Sequence, residues 1–240
     1  MKEIAQIRKL SLWIFFIPLL TINLCLIISQ NPEFLENTIF SVDQIGRSDF
    51  AIPYLDGSLS ISRASRTFPQ YLIFKPAMFL TSFLLIKYWL YNKEIIKSFS
   101  ENHKYINKVV FFGVASAIAL TIHSIFLGIK FDNDLYKLFR RVVMLLFIIF
   151  EIAAQAYLVA TFYSFKEKLF KFINIKILKL KLILVSILIV VAVISIPLIS
   201  LPGNNVFGYN VKFFKHALEW DYFIGVITFY LLTFLMWKKN

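Results

Sequence analysis

The chain has 240 residues, of which 59% are hydrophobic and 17% charged, a balance that excludes a water-soluble domain and places it among membrane proteins. Its formal charge of +12 suggests a nucleic-acid partner, but the basic residues lie in short segments beside apolar runs, not on one soluble face, so none is expected. The single cysteine, Cys25, excludes an intrachain disulfide.

A hydrocarbon core of about 30 Å needs about 20 helical residues, and six continuous apolar runs meet that length. They predict spans near 11–29, 71–91, 109–129, 142–163, 181–201 and 220–237. The runs lack the two-residue alternation of a lipid-facing barrel. The predicted fold is therefore all-α: one six-helix membrane domain over 1–240 with a long first extracytoplasmic loop.

The first run follows a basic start, as in a signal peptide, but it is nearly of spanning length and no small-x-small cleavage site follows. It reads as a retained anchor. After it, residues 30–70 are too few for a core of their own and are expected to cover the helix ends as a cap. Pro53, Asp56-Gly57 and Pro69 mark turns there, and Arg63 and Arg66 punctuate the Ser-rich run from Ser58 to Ser65. In the second run Lys75 and Lys87 can snorkel to opposite interfaces, and Pro18, Pro76 and Pro197 are expected to kink their helices.

The third run carries His123, with Gly113, Ala115, Ala117 and Ala119 supplying small residues for close helix packing. The fourth carries Glu151, with Gln155 one turn on along the same face. Ionisable groups at membrane depth cost at least about 2.5–3.5 kcal/mol, so both helices should be interior and both groups should meet protein, water or a ligand. Each suits an interhelical hydrogen-bonding pin as well as a functional role. The segment from Ser164 to Lys181 alternates lysines with apolar residues, as a positive loop continuing into the fifth run does.

With the N-terminus inside, 15 basic residues flank the inner helix ends and 9 the outer ones, which predicts cytoplasmic termini. The polar groups then gather outside. Asp56, Arg63, Arg66 and Glu219 form a candidate lipid-headgroup site in which the arginines grip phosphate, the carboxylates organise them, and the apolar bundle beneath holds acyl chains. Pairing of the arginines with Asp56 or Glu219, merely to hold the cap down, is the competing reading. No nucleophile motif, metal-ligand cluster or cofactor motif is present, so catalytic residues, metal and cofactor are all expected to be absent.

Two segments resemble the Frag/DRAM/Sfk family, which groups the DRAM autophagy modulators, the FGF-receptor-activating-protein-like proteins and the N-terminal domain of the CWH cell-wall proteins. One is Pro53-Tyr54-Leu55-Asp56-Gly57-Ser58; the other is His216-Ala217-Leu218-Glu219-Trp220 with the aromatic run from Thr228 to Phe234. Six spans, a long first outer loop and cytoplasmic ends also fit. The resemblance implies lipid-linked work: relatives take part in remodelling glycosylphosphatidylinositol anchors or in modulating autophagy. It carries over no catalytic residue. A composition rich in Ile, Lys, Asn and Phe suggests an AT-rich genome, bacterial in style, and hence an inner-membrane location without such anchors. The expectation is a lipid-interacting module or scaffold whose partners are membrane lipids, with protein partners in the membrane also compatible. The alternatives are a lipid-modifying enzyme using His123 or His216 with a carboxylate, and a proton-coupled transporter using Glu151.

Overall fold

The computed structural model describes residues 2–41, 52–129, 133–200, 205–206 and 209–238. Arg47, Asp43 and Asp49 of the expected cap, and Lys130, lie outside them. Six long helices span the molecule: α1 (Lys2–Gln30), α4 (Gln70–Phe99), α5 (Ile106–Phe126), α6 (Asp134–Ser164), α8 (Ile175–Ser200) and α9 (Val211–Met236). Between them lie short helices α2 (Pro53–Asp56), α3 (Ile61–Ser65) and α7 (Lys166–Leu169), and a two-residue antiparallel ladder, β1 (Asn205–Val206) with β2 (Tyr209–Asn210). All six long helices are apolar enough to cross a bilayer, so this is a multi-pass integral membrane protein of all-α class.

The helices overrun the predicted spans. At 1.5 Å per residue, the 30 residues of α4 reach about 45 Å, beyond a hydrocarbon core of about 30 Å. Backbone hydrogen bonding continues through the polar turns that hydropathy assigns to loops. Helices α1 and α4 also continue unbroken through Pro18 and Pro76.

Neighbour contacts run α1 to α4, α4 to α5, α5 to α6, α6 to α8, α8 to α9, and α9 back to α1, closing a ring. Close approach is built into the sequence: a Cβ on Gly113 of α5 would fall 2.3 Å from the buried ring of Trp89 on α4. Ala117 and Ala154 are fully buried in helix contacts. By contrast α8 turns Ile183, Ile187, Val190 and Val193 outward, the face expected against lipid.

With an even number of spans, both chain ends lie on one side, opposite the cap. There Arg8 stacks on Phe234, Asn174 N donates to Met236 O at 2.8 Å, and Lys238 N donates to Phe172 O at 2.9 Å. The lysine-rich segment before α8 is anchored by buried Leu169 and Ile173, and the first turn of α8 by buried Leu178, while Phe170 is 63% exposed.

Candidate functional site

The cap is seated by the two sequence segments singled out above. Gly57 ends α2 in the left-handed conformation, φ +60°, freeing its carbonyl to accept from His216 Nδ1 at 2.9 Å. Trp220 Nε1 donates to Leu59 O at 2.7 Å, and the Tyr54 ring meets the Trp220 ring edge-on at 4.7 Å while its hydroxyl donates to Asn23 Oδ1. The start of α9 and the cap thus form one interface. His216 is committed to it.

Asp56 does not organise the arginines. It is exposed, and its two carboxylate oxygens accept from Ile52 N at 2.9 Å and Ser58 N at 2.7 Å, closing its own turn. The small desolvation it suffers would raise its pKa, but those hydrogen bonds outweigh it and hold the carboxyl below its ordinary value. Glu219 is half-buried and accepts from the backbone of Ser62, so it too ties α9 to the cap.

What gathers instead is positive charge. Ser60 caps α3 by accepting from Arg63 N at 3.2 Å, which presents Arg63 and Arg66 on one short helix and its end. Arg140, from the first turns of α6, reaches across to donate from Nη2 to Ser62 Oγ at 3.3 Å. Burial first, then the charges of Arg63 and Arg140, lower the pKa of Arg66. Among the described residues no carboxylate pairs with any of the three, and Arg140 Nε is buried without a hydrogen-bond partner. Sequence reasoning missed Arg140, which counted only as an outer flanking charge.

Beneath the cap, inside the helix ring, lies a cavity of about 70 Å³ whose walls are almost wholly apolar. Ile61, Ser62 and Glu219 line its cap end, and Glu151 and Tyr230 its floor. His123, 8% exposed, lines it with Nδ1 unpartnered.

Glu151 is completely buried and binds three helices together. Its oxygens accept from Ser116 Oγ of α5 at 2.6 Å, from Gln155 Nε2 of its own helix at 3.1 Å, and from the Tyr230 hydroxyl of α9. Gln155 Nε2 also donates to Val226 O at 3.2 Å. No hydrogen bond joins Glu151 to His123. Toward the side of the termini the polar file continues: Tyr88 packs edge-on against Tyr230 at 5.0 Å, and the Tyr88 hydroxyl pairs with Thr233 Oγ1 at 3.2 Å. Lys181 Nζ donates to the same Thr233 oxygen at 2.7 Å and sits 3.8 Å above the Phe229 ring.

Lys181 is the second residue that sequence reasoning misplaced. Counted as a cytoplasmic loop charge, it is 0% exposed and lies six residues inside α8. Its flanks, Leu180 and Leu182 at the start of an unbroken apolar run, were the available signal. Lys75 and Lys87, expected to snorkel, lie over the rings of Tyr71 and Phe83, and Lys75 also donates to Ile125 O. Among the described residues no three His, Cys, Asp or Glu side chains converge as a metal site would require. In comparisons with known proteins, no family model, curated sequence or solved structure matches this chain.

Proposed function

We propose that this protein is a lipid-interacting membrane module, in the manner of the Frag/DRAM/Sfk proteins it resembles, with a headgroup site on the cap side. The observation that carries the reading is the cluster of Arg63, Arg66 and Arg140, which no described carboxylate neutralises. Planar guanidinium groups suit a phosphate in the bidentate manner. The lipid's chains run outside the ring, along the exposed apolar face that α6 offers next to Arg140, with Leu135, Leu138, Val142 and Leu145. Contact between the segments from Pro53 to Ser58 and from His216 to Trp220, which carry the resemblance, supports the family reading.

The cap side is extracytoplasmic and both termini are cytoplasmic, in the inner membrane if the source is bacterial. Removing buried Lys181 from the flanking charges leaves the bias toward the termini side intact. Protein partners in the membrane fit the same surface. A lipid-modifying activity has less to rest on, because His216 is spent on Gly57 and His123 has no carboxylate partner.

The double variant Arg63→Ala/Arg66→Ala tests the reading. Mass spectrometry of lipids retained through gentle purification should find anionic phospholipid reduced by about ten-fold, the loss of about 1.4 kcal/mol of binding. Undiminished lipid content in a well-folded double variant refutes it.

A further inference from the structure

We propose that the polar file from the cavity to Lys181 conducts protons across the membrane. A chain this apolar has buried a carboxyl and an amine completely, Glu151 and Lys181, and among the described residues neither has an opposite charge within salt-bridge reach. Membrane burial of such groups is costly and marks ion or proton pathways. Hydroxyl-bearing side chains occupy the interval between them: Tyr230 on Glu151, Tyr88 against Tyr230, and Thr233 shared by Tyr88 and Lys181. A hydroxyl both donates and accepts, so each can take a proton on one side and release its own on the other.

The groups facing Glu151 are Ser116, Gln155 and Tyr230, with Tyr88 next beyond; Lys181 faces Thr233 and Phe229. Transfer runs as a relay without net chemistry. A proton entering through the cavity binds a Glu151 oxygen and Glu151 gives one to Tyr230; the Thr233 hydroxyl, which at rest accepts from Lys181 Nζ and donates to Phe229 O at 2.9 Å, turns to hand a proton received from Tyr88 to Lys181 once Lys181 has released its own. Lys181 then releases it toward the termini side, about 9 Å along α8 from the helix start. The two tyrosines meet through their rings, so the step between their hydroxyls needs a bridging water. Two buried acceptors, Gln155 Oε1 beside Tyr230 and Asn92 Oδ1 beside Tyr88, have no other partner and can hold it. The cavity lies on the cap side of Glu151 and the relay on its termini side. Tyr230 and Glu151 belong to both.

The purified full-length protein in vesicles of neutral phospholipid, loaded with a pH-sensitive dye and given a pH step with valinomycin and potassium, supplies the test. Wild-type protein should collapse the gradient faster than protein-free vesicles do. Glu151→Gln and Lys181→Met should return the rate to the protein-free level, while Lys97→Met, at an exposed position near the end of α4 outside both the relay and the headgroup site, should conduct like wild type. Tyr88→Phe loses one hydroxyl from a packed ring, stays foldable if the Glu151 variant does not, and should also stop conduction. Wild-type flux equal to that of empty vesicles overturns the proposal, as does undiminished flux in Tyr88→Phe.

Discussion

One glycine fixes how the cap meets the bundle. Gly57 adopts φ +60°, and a Cβ there would fall 1.7 Å from the carbonyl oxygen of Phe213, a backbone atom that cannot swing aside. Gly57→Ala therefore adds left-handed strain of about 1–2 kcal/mol to a clash that must lever α2 from α9. His216 would lose its carbonyl partner in the same movement. Thermal unfolding in detergent should report a loss above about 2 kcal/mol, with the Tyr54–Trp220 contact broken and Trp220 fluorescence altered. An unchanged melting curve would mean that the cap is not seated through this turn. The turn residues Asp56-Gly57 were legible as punctuation in the sequence, but the partner of that turn, 156 residues away at Phe213, was not, since no local pattern encodes a long-range contact.

Among the elements, α6 depends most on polar contacts. Its carboxylate Glu151 collects donors from α5 and α9, so the helix is held on two sides by buried hydrogen bonds. Tyr230→Phe removes one donor, leaves a buried carboxylate under-satisfied, and keeps the ring against Tyr88. A loss of about 1–3 kcal/mol follows, measurable as a shift of the unfolding midpoint in detergent. Tyr230→Leu should cost more, because the Tyr88 and Trp89 rings lose their partner as well. If Tyr230→Phe melts like wild type, Glu151 is satisfied by Ser116 and Gln155 alone. That Glu151 would be interior could be read from its depth in the run, because a carboxylate among hydrocarbon has few alternatives. Which hydroxyls would answer it could not, because Ser116 and Tyr230 are unremarkable members of apolar helices until the ring closes. The failure at Lys181 has the opposite cause: a cation next to a lysine-rich loop obeys the flanking-charge rule, and only its side-chain direction within α8 sets it apart.

For the whole molecule, hydropathy located all six helices, whereas the side that faces the cytoplasm rests on the distribution of basic residues. Those charges act during insertion and not within the finished bundle, so the packed helices are indifferent to it. The single cysteine makes the matter accessible, since Cys25 is fully buried and can be replaced by serine to leave a background free of thiols. Ser41, exposed on the cap side, and Lys166, exposed at the start of α7, then provide reporter positions on opposite faces. In intact cells a membrane-impermeant maleimide should label Cys25→Ser/Ser41→Cys and spare Cys25→Ser/Lys166→Cys until the membrane is opened. The reverse pattern would put the arginine cluster in contact with the cytoplasm. The headgroup site would then draw on the lipid of the inner leaflet, and protons loaded at Glu151 would come from the cell interior.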